Sequence, residues 1–297
     1  MGNPIVSVIV ATYRREKRLR MALKSLEKQL CNAFEVIVVD DNDDVKWNEK
    51  IQAIVESFEK RSTLQIRLLI NHPNLGSAEA RNCGIKAAKG KYVTFLDDDD
   101  VYLPCKISNQ YNEMKKKGAD YCISNLSLFN EKGKLLEVRT RPYLLSQEAD
   151  NLLVCHLKYH MTATDTMMFK RDYLLEIGMF EPIDVGDEYY LMMKAINGGG
   201  KFAYLNRSDV KALVHTKEAG LSNGQGKIDG ENALYAFKKD FFPMLDVSGQ
   251  RYVKMRHHAV LAFAYFRMGN IYMFIIENLK SFFNSPIKFV KLILHLK

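Results

Sequence analysis

The chain opens on a continuous apolar run. Ile5-Val6-Ser7-Val8-Ile9-Val10 predicts a strand covered on both faces. Residues 16–30 then carry apolar side chains at Leu19, Ala22, Leu23, Leu26 and Leu30, the spacing of one helix face. The alternation repeats. Residues 34–39 predict a strand, 47–60 a helix, 64–70 a strand, and 78–88 a helix beyond the turn Asn74-Leu75-Gly76-Ser77. Residues 91–96 form the next strand, which runs into Asp97-Asp98-Asp99-Asp100, and a further helix starts near Leu103-Pro104. Strands alternating with helices imply right-handed crossovers and a largely parallel sheet.

The pattern changes after about residue 119. Residues 121–129 and 134–138 predict antiparallel strands around Asn130-Glu131-Lys132-Gly133, and 166–169 a short strand. Asp187-Glu188 opens a helix running to about residue 196, stopped by Asn197-Gly198-Gly199-Gly200. Residues 202–205 and 210–215 are the last strands, and from about Glu231 the chain reads as helices.

In a parallel sheet, ligands sit at the carboxyl ends of the strands. Three such ends are polar here: Thr12-Tyr13, Asp40-Asp41 and the run Asp97 to Asp100. Four adjacent carboxylates raise one another's pKa and oppose folding unless something positive offsets them. A divalent cation with oxygen ligands does so. Alone, the run would equally serve as a solvated loop capping the next helix. Its place at the end of a buried strand, level with two other polar strand ends, favours a site.

Composition narrows the partners. A chain of 297 residues buries a substantial core, and 47% apolar with 26% charged residues is globular composition. The net charge of +8 favours anionic partners. Cys31, Cys83, Cys105, Cys122 and Cys155 are scattered without a CxxC pair, so reduced thiols are expected rather than a disulfide framework or a zinc site. No basic stretch with an apolar run behind it precedes the first strand, so a secretory leader is not expected, and no apolar stretch reaches the roughly 18 residues of a membrane-spanning helix. No GxGxxG follows the first strand, which argues against a dinucleotide-dependent dehydrogenase.

The segments Val8-Ile9-Val10-Ala11-Thr12-Tyr13-Arg14-Arg15, Val38-Val39-Asp40-Asp41-Asn42, Asn74-Leu75-Gly76-Ser77-Ala78-Glu79-Ala80-Arg81-Asn82 and Gly90-Lys91-Tyr92-Val93-Thr94-Phe95-Leu96-Asp97-Asp98-Asp99-Asp100 stand at characteristic spacings across about the first 105 residues. Together they resemble the family 2 glycosyltransferases, many of which build bacterial surface polysaccharides. The resemblance implies the GT-A fold: an α/β, Rossmann-like, mostly parallel central sheet flanked by helices, with a small antiparallel part and a C-terminal helical extension. The implied organisation is a catalytic domain over 1–230, with a nucleotide-binding half at 1–118 and an acceptor-binding half at 119–230, then the extension at 231–297.

The resemblance also implies residue roles. Ala11, Thr12 and Tyr13 would line the base pocket, Tyr13 by stacking. Asp41 would accept a hydrogen bond from the base, although it could equally cap the following helix. Arg81 would face the nucleotide. In the Asp-x-Asp reading, Asp99 is the direct ligand of Mn2+ or Mg2+, Asp97 bonds the ribose or the metal's waters, Asp98 also lies against the nucleotide sugar, and Asp100 stands behind. His215 would be a further metal ligand. The catalytic base falls at Glu188 when Leu191 and Lys194 are matched to that helix of the family, and at Asp187 when Gly186 is matched; Glu188 is preferred.

The expected activity is inverting, metal-dependent transfer from a nucleotide sugar, a UDP-sugar first, to a hydroxyl of a saccharide or lipid-linked acceptor. Two rivals are a sugar-nucleotide nucleotidyltransferase, which would want a glycine-rich loop after the first strand, and a non-catalytic subunit of a polysaccharide assembly complex. A nucleic-acid partner is not expected. Residues 271–276 and 282–296 are apolar, punctuated by Lys280, Lys288 and Lys291. Such a mixture fits a helix lying on an anionic membrane surface, hence a cytoplasmic protein peripheral to the inner face of the plasma membrane. It fits equally a helix packed on the catalytic domain or on a second copy of the chain.

Overall fold

Strand β1 (Val6–Thr12) is buried along its length except at the half-buried Ala11, as a strand covered on both faces must be. Helix α1 (Glu16–Glu27) buries Leu19, Ala22, Leu23 and Leu26 as one stripe. After β2 (Phe34–Asp40), helix α2 (Val45–Arg61) starts two residues before the expected Trp47, because the Asp44 side chain accepts the Trp47 N–H at 3.1 Å and caps it. Then come β3 (Gln65–Ile70), α3 (Ser77–Ala87), β4 (Tyr92–Phe95), the two-residue β5 (Val101–Tyr102) and α4 (Lys106–Lys117), which Gly118 ends in the left-handed conformation. This computed structural model describes residues 3–183, 185–214 and 224–295.

The stretch expected as one strand over 121–129 is two, β6 (Tyr121–Ser124) and β7 (Leu126–Asn130), in different sheets. The break falls at Asn125, whose backbone N–H bonds Arg207 O at 2.9 Å and whose side-chain amide bonds Asn206 at 2.9 Å. Those bonds replace ladder bonds and let the chain change sheets. After β8 (Leu135–Arg139) come α5 (Ala149–Tyr159), a 3₁₀ turn, β9 (Met167–Lys170), α6 (Arg171–Glu176), α7 (Asp187–Asn197), β10 (Phe202–Leu205) and β11 (Val210–Val214).

The larger sheet runs β10-β6-β9-β4-β1-β2-β3 and is parallel except at β9, which is antiparallel to both neighbours. The smaller runs β5-β11-β7-β8 and is antiparallel except between β7 and β11. The mostly parallel sheet with flanking helices and a small antiparallel part is as expected. Among its large buried side chains is a cation: Lys106 Nζ donates to Thr94 Oγ1 at 2.5 Å and to Tyr102 Oη at 2.6 Å, and burial pulls its pKa down to about 7.

The chain divides into two units. Residues 1–149, 161–183 and 187–216 form the sheet-containing one; residues 150–160, 184–186 and 217–297 form the other. The second is helical. It holds α5 beyond Ala149, α8 (Gly224–Asp240), α9 (Val247–Arg267), α10 (Ile271–Asn284) and α11 (Pro286–His295). Helix α8 begins seven residues before the expected Glu231. An amphipathic helix ordinarily buries its apolar stripe; α10 does the reverse. Its buried residues are Glu277 and Ser281, held by His258 Nδ1 at 2.6 Å from Glu277 Oε2 and by the Ser281 hydroxyl donating to Met255 O at 2.8 Å. Ile271, Tyr272, Ile275, Leu279 and Phe283 face outward, Phe283 at 75% exposure. Ile287, Val290, Ile293 and Leu294 continue the apolar surface along α11. No helix among the described residues is long and apolar enough to cross a membrane.

Candidate active site

Registry places the polar residues together. Parallel β1, β2 and β4 pair Thr12 with Asp40 and Ile9 with Phe95, so the segments leaving these strands emerge at one edge of the sheet. Antiparallel β9 enters from the opposite direction. Thr94 pairs with Met168, so Asp97, three residues after Thr94, comes level with Asp165, three residues before Met168. The Asp97 N–H donates to Asp165 Oδ1 at 2.6 Å. Sequence reasoning missed Asp165. The 166–169 strand was legible, but its direction in the sheet, which alone puts Asp165 beside the aspartate run, was not.

Asp97, Asp100 and Asp165 each present a carboxylate oxygen, all within 4.8 Å of one another. Asp165 and Asp100 are almost fully buried, and burial raises the pKa of both well above the carboxylate range, with repulsion from Asp165 adding to it at Asp100 and from Asp97 at Asp165. Carboxylates this close hold a proton or a cation between them, and three hard oxygen donors suit a divalent cation. Asp100 also accepts the Leu213 N–H of β11 at 3.0 Å. Asp99, expected as the direct ligand, is not in this group. Its Oδ2 takes Arg15 Nη1 at 2.8 Å and Arg18 Nη1 at 3.4 Å. His215, the other expected ligand, lies outside the described residues.

Asp98 is nearly buried. It accepts the Thr12 hydroxyl at 2.7 Å on one oxygen and Arg15 at 3.0 Å on the other. Burial pushes it up to about 6, Asp99 adding to the shift and Arg15 and Thr12 opposing it. Thr12 thus braces the aspartate loop from β1. Tyr13 is 47% exposed beside it, with the Arg14 guanidinium 5.1 Å from its ring centre, and Ala11 is half-buried.

Asp41 is buried and holds the Asn-Leu-Gly turn. Its Oδ1 accepts Asn71 Nδ2 at 2.9 Å and the Leu75 N–H at 3.0 Å, and its Oδ2 accepts the Gly76 N–H at 2.8 Å. That turn starts α3, which carries Arg81. Arg81 is buried and bridges two carboxylates: Nη2 to Asp97 Oδ1 at 2.8 Å and Nη1 to Asp187 Oδ2 at 2.6 Å. Burial alone would favour losing its proton; Asp97 and Asp187 outweigh that and hold it more firmly than water does. Three residues on, Gly84 lets α3 lie close on β1, since a Cβ there would stand 2.6 Å from Ile9 Cγ2.

Asp187 opens α7, with its other oxygen on the Glu188 N–H at 2.8 Å. Burial raises its pKa, Glu188 adds to this and Arg81 opposes it, leaving it near neutrality at about 7. Both Asp187 oxygens are therefore engaged. Glu188 is half-buried one residue on. The structure so brings together Thr12, Asp98 and Arg15 in one group and Arg81, Asp97 and Asp187 in another, the two meeting at the consecutive Asp97 and Asp98. Asp41 is tied to the second group through the turn before α3, and Tyr13 follows Thr12 at the end of β1.

The chain is 29% identical over 232 residues to the Escherichia coli UDP-Glc:alpha-D-GlcNAc-diphosphoundecaprenol beta-1,3-glucosyltransferase WfaP, covering 77% of this chain and 85% of that protein. Among solved structures it resembles S. aureus TarS in complex with UDP-GlcNAc (TM-score 0.61, 18% identity, covering 92% of this chain and 90% of that one). It also resembles the mannosyltransferase PcManGT from Pyrobaculum calidifontis in complex with GDP-Man and Mn2+ (TM-score 0.62, 18% identity, 91% and 75%). At that identity the resemblance is one of fold, the GT-A fold. The family model for glycosyl transferase family 2 matches residues 7–178, more than half of the chain, and the chain belongs to that family.

Proposed function

We propose that this chain is an inverting, metal-dependent glycosyltransferase that moves a sugar from a nucleotide donor, a UDP-sugar first, to a hydroxyl of a saccharide or lipid-linked acceptor in surface-polysaccharide synthesis. The observation that carries the reading is the Asp97–Arg81–Asp187 bridge, which couples the acidic cluster to the head of α7. WfaP by its name uses UDP-Glc and a lipid diphosphate acceptor, and the structural neighbours hold UDP-GlcNAc or GDP-Man.

Asp187 spends both oxygens on Arg81 and on the backbone of α7, which fits a positioning role. Glu188, the position favoured when Leu191 and Lys194 are matched to that helix of the family, is the base that takes the acceptor hydroxyl's proton. The acceptor oxygen attacks the anomeric carbon from the face opposite the diphosphate, and one displacement inverts that centre. Tyr13 offers an exposed ring for the base, and Arg15 and Arg18 offer positive charge beside the aspartate loop. Asp97, Asp100 and Asp165 fit Mn2+ or Mg2+ as hard oxygen donors; Asp99 and His215 remain the further candidates. A bound ion there supplies neutralising charge for the departing nucleoside diphosphate.

The outward apolar faces of α10 and α11, with Lys280, Lys288 and Lys291, support attachment to the anionic inner face of the plasma membrane, where a lipid-linked acceptor would be met. The test of function is direct. Purified protein with Mn2+ is offered UDP-glucose, UDP-N-acetylglucosamine and GDP-mannose together with lipid-diphosphate saccharide acceptors, and the anomeric configuration of the product is read by NMR. Transfer with inversion supports the reading; transfer with retention, or no transfer to any acceptor with any donor, overturns it.

A further inference from the structure

Lys106 on α4 is almost completely buried, and its amine bonds two hydroxyls rather than a carboxylate. An apolar side chain in that space would avoid the cost of taking a cation out of water. The bonds explain the choice. Thr94 Oγ1 donates to Met167 O at 2.7 Å, and Tyr102 Oη donates to Phe95 O. A hydroxyl has one proton to give. Both are therefore committed to backbone carbonyls, and the 3.1 Å approach of the two oxygens to each other has no proton in it. Lys106 Nζ supplies the missing donors, 2.5 Å from Thr94 and 2.6 Å from Tyr102. One amine thus keeps both hydroxyls locked on their carbonyls, whether it carries two protons or three.

Those carbonyls lie at the roots of the acidic cluster. Phe95 is two residues before Asp97, Tyr102 two after Asp100, and Met167 two after Asp165. The bond from Tyr102 to Phe95 O closes the loop that carries the aspartate run, tying β4, which enters it, to β5, which leaves it. The bond from Thr94 to Met167 O adds a side-chain tie between β4 and β9 where their ladder ends. The Tyr102 oxygen also lies 3.4 Å from Asp165 O. One turn along α4, Gln110 Nε2 donates to Thr166 O at 2.8 Å. Asp97, Asp100 and Asp165 each stand within two residues of a contact made by this buried polar group, and none of their carboxylate oxygens is used in making it.

We infer that Thr94, Tyr102 and Lys106 are positioning residues: they fix the spacing of the Asp97, Asp100 and Asp165 carboxylates and thereby how tightly the site takes a divalent cation, an inference that rests on the metal reading proposed above. Groups that hold a metal's ligands in place govern affinity in this way, because they set the orientation of each ligand before the ion arrives.

The experiment is calorimetry of UDP binding to the full-length protein, with Mn2+ and with EDTA. The ratio of the two Kd values measures what the metal contributes. Tyr102→Phe and Thr94→Val each remove one clamping hydroxyl without changing charge. Each should cut the ratio about tenfold or more and leave the Kd in EDTA unchanged. Thr94→Ser keeps the hydroxyl and should restore the parent's ratio. A merely structural role would weaken binding alike with and without Mn2+. That result overturns the inference, as do parental ratios in both folded variants, or a Thr94→Ser protein as impaired as Thr94→Val. Should Tyr102→Phe fail to melt cooperatively, the Thr94 pair decides alone. A parent whose UDP affinity gains nothing from Mn2+ overturns the metal reading, and this inference with it.

Discussion

Asp97 donates its backbone N–H to the carboxylate of Asp165 at 2.6 Å although 68 residues separate them in the chain. The bond is a consequence of β9 running antiparallel to β4, and it makes Asp165 part of the aspartate loop in space though not in sequence. Asp165→Asn keeps an oxygen for that N–H and removes one negative charge. The variant should fold, and calorimetry should show Mn2+-dependent UDP binding weakened at least about tenfold, with metal-free binding unchanged. Equal metal dependence in the variant and the parent would remove Asp165 from the metal site.

Glu188 and Asp187 should separate kinetically. Glu188→Gln removes the proposed base and should lower kcat by about 10²–10⁴-fold with little change in donor affinity. Asp187→Asn weakens the grip on Arg81 and should disturb donor binding as well, because Arg81 also holds Asp97. If Asp187→Asn lost turnover alone and Glu188→Gln stayed active, the two roles would be exchanged.

Lys106 gives a pH-dependent signature. Its pKa is about 7 in the fold against 10.5 for the free side chain. Between those values the unfolded chain binds more protons than the folded one, so this group's contribution rises with pH through the window. Below about pH 7 both states are protonated and the full cost of the buried charge is present. Lys106→Met should therefore raise Tm relative to the parent most at pH 6, with the gap shrinking steadily up to pH 10. A constant gap across that range would mean that Lys106 is not buried as a titrating amine.

The inverted α10 makes a membrane prediction. Basic residues near an anionic surface contribute about 1 kcal/mol each, and the apolar face adds burial. Full-length protein should co-float with vesicles rich in phosphatidylglycerol at low salt and be released by high salt. Truncation after Asn270 should abolish flotation and leave UDP binding intact. A truncated protein that falls from dimer to monomer, with no vesicle binding by the full chain, would identify these helices as packing elements.

Much of this was legible from pattern alone. Continuous apolar runs located β1, β2 and β4, because strands covered on both faces carry no alternation to confuse them. The polar ends of those strands located Thr12, Asp41 and Asp97 to Asp100. What escaped depends on strand direction and on which side chain a charge chooses. Asp165 needed the antiparallel register of β9. The turn of Asp99 toward Arg15 and Arg18 needed side-chain coordinates, since spacing ranks neighbouring aspartates alike. The split at Asn125 coincides with the adjacent polar pair Ser124-Asn125, where the apolar alternation changes phase, and the bonds to Arg207 and Asn206 end the strand there. On α10, periodicity gave the helix correctly and could not say that Glu277 would be its buried side.

Gly84 contributes no charge, no donor and no ligand atom, yet it sets how far Arg81 stands from Asp97. The missing methyl acts as a spacer between helix and sheet, with no slack on the Ile9 side. Adding that methyl should cost about 1–3 kcal/mol in overpacking, and the strain relieves itself by lifting the helix that carries the arginine. A survey of function that substitutes only ionisable residues would therefore pass over the position that holds them at working distance. Inactive variants recovered by random mutagenesis should include changes at this silent glycine, with the whole polar constellation intact.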